Sequence, residues 1–394
     1  MDSSNKLFLL DAYALIYRAY YAFIKNPRIN SKGFNTSAIL GFVNTLEEVL
    51  KKENPTHIGV AFDPAGPTFR HEAFEQYKAQ REETPEAIRL SVPIIKDIIR
   101  AYRIPILEVA GYEADDVIGT LATEAGRQGI TTYMMTPDKD YGQLVSDKVF
   151  MYRPKHTGGF EVMGVEEVKA KFDIQSPAQV IDMLGLMGDS SDNIPGCPGV
   201  GEKTAQKLIS EFGSIENLLE HTDQLKGALK TKVETNREMI TFSKFLATIK
   251  IDVPIQLEMD SLVREEADED SLRSIFEELE FRTLIDRVLK KGVSGNGITS
   301  TPGSKVATGK SAPSPLPLFP EEGGGIQGNL FANFTPNEPD EAKKSNLETL
   351  ESQSRNYQLI DTEEKRREII QKLLTSKILS LDTETTGTEP MDAE

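Results

Sequence analysis

One cysteine, Cys197, in 394 residues excludes any internal disulfide and any zinc site built from thiolates. The four histidines, His57, His71, His156 and His221, are scattered without ligand spacing, so a bound metal would have to rest on oxygen. No GxSxG elbow or triad-like arrangement occurs, and a serine nucleophile is not expected. Tryptophan is absent. No apolar run reaches the roughly 18 residues that a spanning helix needs, and the opening MDSSNKLFLLDAY lacks the basic, apolar and small-residue order of a leader. A monomeric cytoplasmic chain without a membrane partner is the expectation.

Basic charge is also scarce overall, with 45 Lys and Arg against 62 Asp and Glu for a net of −17. The deficit is uneven. Residues 1–250 hold 29 bases and 34 acids, whereas residues 251–394 hold 16 and 28. Nine of the acids in the first part form the constellation described next, and without them that part is mildly basic. Net charge therefore does not exclude a polyanionic partner.

Three apolar runs, KLFLLD (6–11), HIGVAFD (57–63) and ITTYMMTPD (130–138), are predicted to be buried strands separated by helical patterns. Such alternation implies a mostly parallel central sheet flanked by helices, whose sites lie beyond the carboxyl ends of the strands. Each run ends in an aspartate: Asp11, Asp63 and Asp138. Short acidic spacings recur elsewhere, with Glu113, Asp115 and Asp116 in EADD, Asp138 and Asp140 in DKD, and Asp189 and Asp192 in DSSD. Strand-end aspartates taken singly are ordinary turn formers and caps. Nine together are another matter, because gathered carboxylates repel one another unless cations neutralise them. Two divalent ions, Mg2+ or alternatively Mn2+, are the simplest neutralisers, about 3.5 to 4 Å apart in many phosphoryl-transfer sites.

The segments LLDAYALIYRAYYA, VAFDPAGPTFRHEAFEQYKAQR, GYEADDVIGTLA, TPDKDYGQLV and LMGDSSDNIPGCPGVGEKTAQKLI, in this order and spacing, resemble the 5′-nuclease domain of bacterial DNA polymerase I and, more distantly, flap endonucleases. The likeness covers about the first 290 residues. It implies a PIN-like 5′-nuclease fold over 1–175 with a helical arch at about 70–100, then a helix-hairpin-helix subdomain over 176–291. It further implies that Asp11, Asp63, Glu113 and Asp115 serve one metal, and Asp138, Asp140, Asp189 and Asp192 a second, with Asp116 beside both. Ala12 departs from the glycine many relatives carry there and adds only a methyl.

The stretch Arg70 to Arg100 reads as one long helical segment with cations at Arg70, Lys78, Arg81, Arg89, Lys96 and Arg100. Cations on a solvated helix face need no function. In the arch that the resemblance implies, Lys78 and Arg81 would contact the scissile phosphate, Tyr77 would stack on a terminal base and Arg70 would join the catalytic set; Arg18, on the first helix, would face phosphate. IPGCPGVGEKTAQKLI (194–209) reads as a glycine hairpin opening a helix, with Gly199, Val200, Gly201, Lys203, Thr204 and Lys207 cradling a backbone phosphate and a monovalent cation as a further occupant. A helix–turn–helix of purely structural purpose is the alternative. Gly196 to Thr204 nearly spells a nucleotide-binding loop, but Glu202 separates Gly201 from Lys203 and no strand leads into it.

From 292 to about 350 the chain is rich in Gly, Pro, Ser and Thr and reads as a flexible linker. Within it Gln327, Leu330 and Phe331 resemble a sliding-clamp docking peptide. Residues 351–394 read as the truncated start of a proofreading 3′ exonuclease, with Asp382 and Glu384 of LDTETTG as its first acids. The expectation is a fragment of a longer polymerase. Three activities compete: a structure-selective 5′ to 3′ exonuclease and flap endonuclease, a single-strand ribonuclease, and a DNA clamp without catalysis.

Overall fold

Strand β1 (Lys6–Asp11) alternates its side chains between two apolar cores, Leu7 and Leu9 on one face and Phe8 and Leu10 on the other. Burial on both faces places it in the middle of a sheet. In the computed structural model, which describes residues 5–155, 159–289 and 362–375, β1 pairs in parallel with β2 (His57–Ala61) and with β4 (Thr131–Met135). Strand β3 (Ile106–Leu107) adds beyond β2, and β5 (Val149–Pro154) beyond β4. The last strand, β6 (Phe160–Met163), runs antiparallel, giving the order β3-β2-β1-β4-β5-β6. The order reverses about β1, so the three aspartate-bearing strands lie side by side at the switch point where ligands bind in such sheets.

Helices α1 (Ala12–Ala22) and α2 (Ser37–Lys52) cover the face of Phe8 and Leu10, together with α4 (Glu86–Ala101). Helix α5 (Ala114–Arg127) covers the face of Leu7 and Leu9. The short α3 (Phe69–Ala73) precedes α4, and the long helix expected from Arg70 to Arg100 does not form. Its chemistry explains the break. Phe74 turns extended, Lys78 takes a left-handed φ of 57°, and Pro85 disfavours helix in the residue before it. Residues 74–85 instead lie as a non-helical strip.

After α6 (Val165–Phe172) come α7 (Gln179–Met187), α8 (Glu202–Phe212), α9 (Ile215–Glu220), α10 (Gly227–Thr235) and α11 (Arg237–Ala247). The helical subdomain expected over 176–291 is interrupted. Residues 251–268 contain only the 3₁₀ turn Met259–Leu262 and return to the sheet, where Arg264 N donates to Thr56 O at 2.9 Å. Helices α12 (Glu269–Glu278) and α13 (Arg282–Leu289) then bury Leu272, Phe276 and Leu284 in the core that holds Phe8 and Ile58, so they belong with the sheet and not with a subdomain running from 176 to 291.

A second unit begins at Phe334, and in it α14 (Glu363–Thr375) forms where TEEKRREIIQKLL reads as helical. Gln327, Leu330, Phe331, Asp382 and Glu384 lie outside the described residues.

Candidate metal centre and nucleic-acid interface

Each acid arrives by a local device that fixes its backbone. Asp11 ends β1 and caps α1, accepting from Ala14 N at 3.1 Å, while Thr136 and Tyr141 donate their hydroxyls to its other oxygen, each at 3.2 Å. Asp63, two residues past β2, accepts from Ala114 N at 2.7 Å. Glu113 caps α5, and Asp115 and Asp116 lie in its first turn, where the helix dipole favours negative charge. Asp138 caps the 3₁₀ turn Lys139–Leu144 and accepts from Asp140 N at 3.0 Å.

Asp189 and Asp192 sit in the loop after α7. Two glycines make that loop possible: Gly188 (φ 73°) and Gly196 (φ 62°) approach so closely that a Cβ on Gly196 would lie 2.3 Å from Gly188 N. Asp189 and Ile194 exchange backbone hydrogen bonds across it at 2.9 and 2.8 Å.

Like-charge repulsion links the acids into one group. Burial, Asp63 and Asp138 push the Asp11 carboxyl up to about 7. Burial and Asp116 hold Asp115 well above the usual range, and burial and Asp138 do the same for Asp140. Asp63 is raised by burial and by Glu113. Asp138 is raised too, by surrounding protein and by Asp192, although its exposed face lets water screen the charge. Two acids go the other way because cations outweigh burial: Lys78 and Arg70 beside Glu113, and Lys78 and Arg81 beside Asp192, which falls to about 2.

The acids fit divalent ions by a specific test. Glu113, Asp115 and Asp116 each offer an oxygen within 4.8 Å of the others. Two buried oxygens, Asp115 Oδ1 and Asp140 Oδ1, one in each half of the set, accept no hydrogen bond and have only a distant cation, Arg70 and Lys139 respectively, each at 3.8 Å. Buried carboxylate oxygens without hydrogen bonds are unfavourable, and an all-oxygen donor set suits hard cations.

The strip 74–85 supplies the cations. Lys78 Nζ lies 2.6 Å from Glu113 Oε1, and Arg81 Nη2 lies 2.5 Å from Asp192 Oδ1. The base-stacking role expected of Tyr77 does not fit: its ring is 3% exposed and its hydroxyl donates at 2.9 Å towards both Glu113 and Asp192. Arg70 likewise is 1% exposed, with its guanidinium bonded to Asp116, Glu113 and the carbonyls of Leu246 and Thr248. It is a buried positioning group and not a phosphate contact. Asp116, fully buried, gives both oxygens to Arg70 and also accepts from Glu113 N and Lys250 N.

Two family models match end to end, "5'-3' exonuclease, N-terminal resolvase-like domain" over residues 6–173 and "5'-3' exonuclease, C-terminal SAM fold" over 175–270. The chain belongs to the 5′-3′ exonuclease family. DNA polymerase I of Bacillus caldotenax is 42% identical over 287 residues, 72% of this chain and 32% of that protein. The chain thus spans about a third of the length of the curated relatives it matches. Among solved structures, the T5 5′-exonuclease with divalent metal ions (zinc) bound aligns with TM-score 0.52 at 21% identity, covering 70% of this chain and 98% of the other. The catalytic core of Rad2 in complex with DNA substrate aligns with TM-score 0.51 at 17% identity, covering 74% and 93%. Both likenesses establish the fold.

The glycine hairpin after the acidic loop has Gly199 at φ 75° and Gly201 capping α8, with Lys203 and Lys207 exposed on that helix. Thr204 is half-buried, and its N–H returns to Gly201 O. Val200 differs from expectation. Its side chain is buried and its N–H donates to Cys197 O at 2.9 Å, so it anchors the hairpin and presents nothing outward. Lys232, unforeseen in the sequence, reaches Gly199 O at 3.4 Å. Arg18 is half-buried on α1 and reaches Lys155 O at 3.5 Å.

Sequence reasoning also passed over Tyr13 and Tyr17, which form a half-exposed aromatic run on α1 leading from Asp11 toward the strip, where Tyr17 bonds Thr84 at 3.0 Å. Their i, i+4 spacing after a strand-end aspartate was the available signal. No helix among the described residues is long and apolar enough to cross a membrane.

Proposed function

We propose that the chain is a structure-selective 5′ to 3′ exonuclease and flap endonuclease, cutting phosphodiesters of DNA and RNA primers at 5′ ends and flap junctions, as the nuclease portion of a DNA polymerase I. The observation that carries this reading is the pair of buried oxygens on Asp115 and Asp140 that accept no hydrogen bond, set in one acidic crowd at the switch point of the sheet. DNA as the partner is supported by the fold shared with Rad2 bound to its DNA substrate.

Asp11, Asp63, Glu113 and Asp115 would hold one Mg2+, and Asp138, Asp140, Asp189 and Asp192 another; Mn2+ could take either place. Bound there, the ions supply an activated water and neutralise charge on the scissile phosphate. The chain's own part is to exclude competing charge and to orient. Lys78 and Arg81, now paired with Glu113 and Asp192, stand where an incoming phosphate would draw them off, and so would stabilise its negative charge during cleavage. The stacking role first given to Tyr77 suits the half-exposed Tyr17 better. The first-turn amides of α8, with Lys203 and Lys207, would grip a duplex phosphate without reading sequence. A monovalent cation at that hairpin and a sliding-clamp contact through Gln327, Leu330 and Phe331 are parts of the same proposal, the latter resting on sequence alone.

Incubation of a 5′-labelled flap with the protein and Mg2+ tests it. Release at the junction, abolished by chelation, is expected. Preference for single-stranded RNA would point to a ribonuclease, and tight binding without cleavage to a clamp; either result overturns the proposal.

A further inference from the structure

The last turn of α11 and the extended residues that follow it, Leu246 to Lys250, are hydrogen-bonded to both halves of the acidic set. On the EADD side Arg70 donates to Leu246 O and Thr248 O, each at 2.9 Å, and Lys250 N donates to Asp116 Oδ1 at 2.8 Å. On the DKD side a single residue makes the connection. Gln143 Nε2 donates to Asp140 O and to Ala247 O, each at 3.0 Å, and its Oε1 accepts from Ile249 N at 2.9 Å. Gln143 is only 9% exposed, and its amide uses both ends on these three backbone groups.

The same helix end supports the third acidic segment. Gly196 N donates to Ser243 Oγ at 2.9 Å within the core, and a Cβ on Gly185 of α7 would touch Lys244. Helix α11 therefore backs the loop of Asp189 and Asp192 while its continuation holds the turn of Asp138 and Asp140.

Resting on the two-ion reading above, we propose that Gln143 is a positioning residue for the second metal half-site, holding the DKD turn in register with α11 and hence with Asp189 and Asp192. It touches neither ion nor substrate. Groups behind metal ligands commonly matter about ten- to a hundredfold in affinity.

The test compares the full chain with Gln143→Met, which keeps the volume and removes all three hydrogen bonds, and with Gln143→Glu, which keeps the acceptor for Ile249 N. Mn2+ binding, thermal unfolding without metal, and affinity for blunt duplex DNA are measured for each. Loss of about tenfold in Mn2+ affinity at the weaker site for Gln143→Met, a smaller loss for Gln143→Glu, and DNA affinity within about twofold would support the proposal. Unchanged Mn2+ affinity in folded Gln143→Met would overturn it alone. Should Gln143→Met not fold, Gln143→Glu decides: unchanged Mn2+ binding, or a loss matched by an equal loss of duplex binding, overturns it. Absence of Mn2+ binding by the unaltered chain overturns both this proposal and the two-ion reading.

Discussion

Asp11 carries opposing demands, since it ends a core strand, caps a helix and faces two other carboxylates. Its pKa rises from 3.8 to about 7 in the fold, so between those values the folded chain holds a proton that the unfolded chain has released. The metal-free protein should therefore lose stability as pH rises from about 4 to 7, and Asp11→Asn, which keeps the cap, should reduce that slope by Asp11's share and raise the melting temperature in chelator near pH 7. Thermal scans across that window, with and without Mg2+, check this. A melting temperature for Asp11→Asn at or below that of the unaltered chain would sink the crowding account.

Arg70 belongs to the same scale. Replacement by Met leaves Asp116 buried without its cation and Glu113 with Lys78 alone, which costs about 3 to 5 kcal/mol. Urea denaturation should show the loss directly, whereas a residue that only contacted phosphate would leave stability alone. The nine acids stood out in the sequence by recurring together at strand ends and in short spacings, although each alone would pass for a cap or a turn former. The purposes of Arg70, Tyr77 and Gln143 were not legible there, because whether a polar side chain faces solvent or the interior depends on partners distant in the chain; Arg70 bonds carbonyls 176 and 178 positions away.

Strands β1, β2 and β4 announced themselves by unbroken apolar runs, as strands buried on both faces do. Edge strands lack that signature. β3 has two residues and β6 buries only Met163 fully, so neither stands out. The break between α3 and α4 was masked by the steady recurrence of cations from Arg70 to Arg100, a pattern about charge and not about helix. At this scale the glycine pair behind the acidic loop gives the clearest prediction. Gly196→Ala places a methyl against Gly188 backbone, and its positive φ alone costs about 1 to 3 kcal/mol. Chemical denaturation should register that loss, and Mn2+ titration should show weakened binding, since the loop bearing Asp189 and Asp192 must open. Gly213→Ala, also at positive φ but with nothing near its Cβ, serves as the control that strains backbone without moving the acids.

Across the whole molecule, charge is distributed against the proposed partner. Residues 292–394 carry 16 acids and 10 bases, so a chain ending at Lys291 should bind duplex DNA more tightly at low ionic strength. The difference should vanish as added salt screens it. Fluorescence anisotropy over a salt series measures this, and a gain that persisted at high salt would mean the tail acts by something other than charge.

The helical region is tethered twice, leaving the sheet after β6 and coming back where Arg264 bonds Thr56 and where α12 and α13 enter the core beside Phe8. A protease that severed the exposed turn at Gly213 would thus produce two fragments that interlock, each holding part of the sheet's covering. The nicked protein should travel as one species in native gel filtration and come apart only in denaturant.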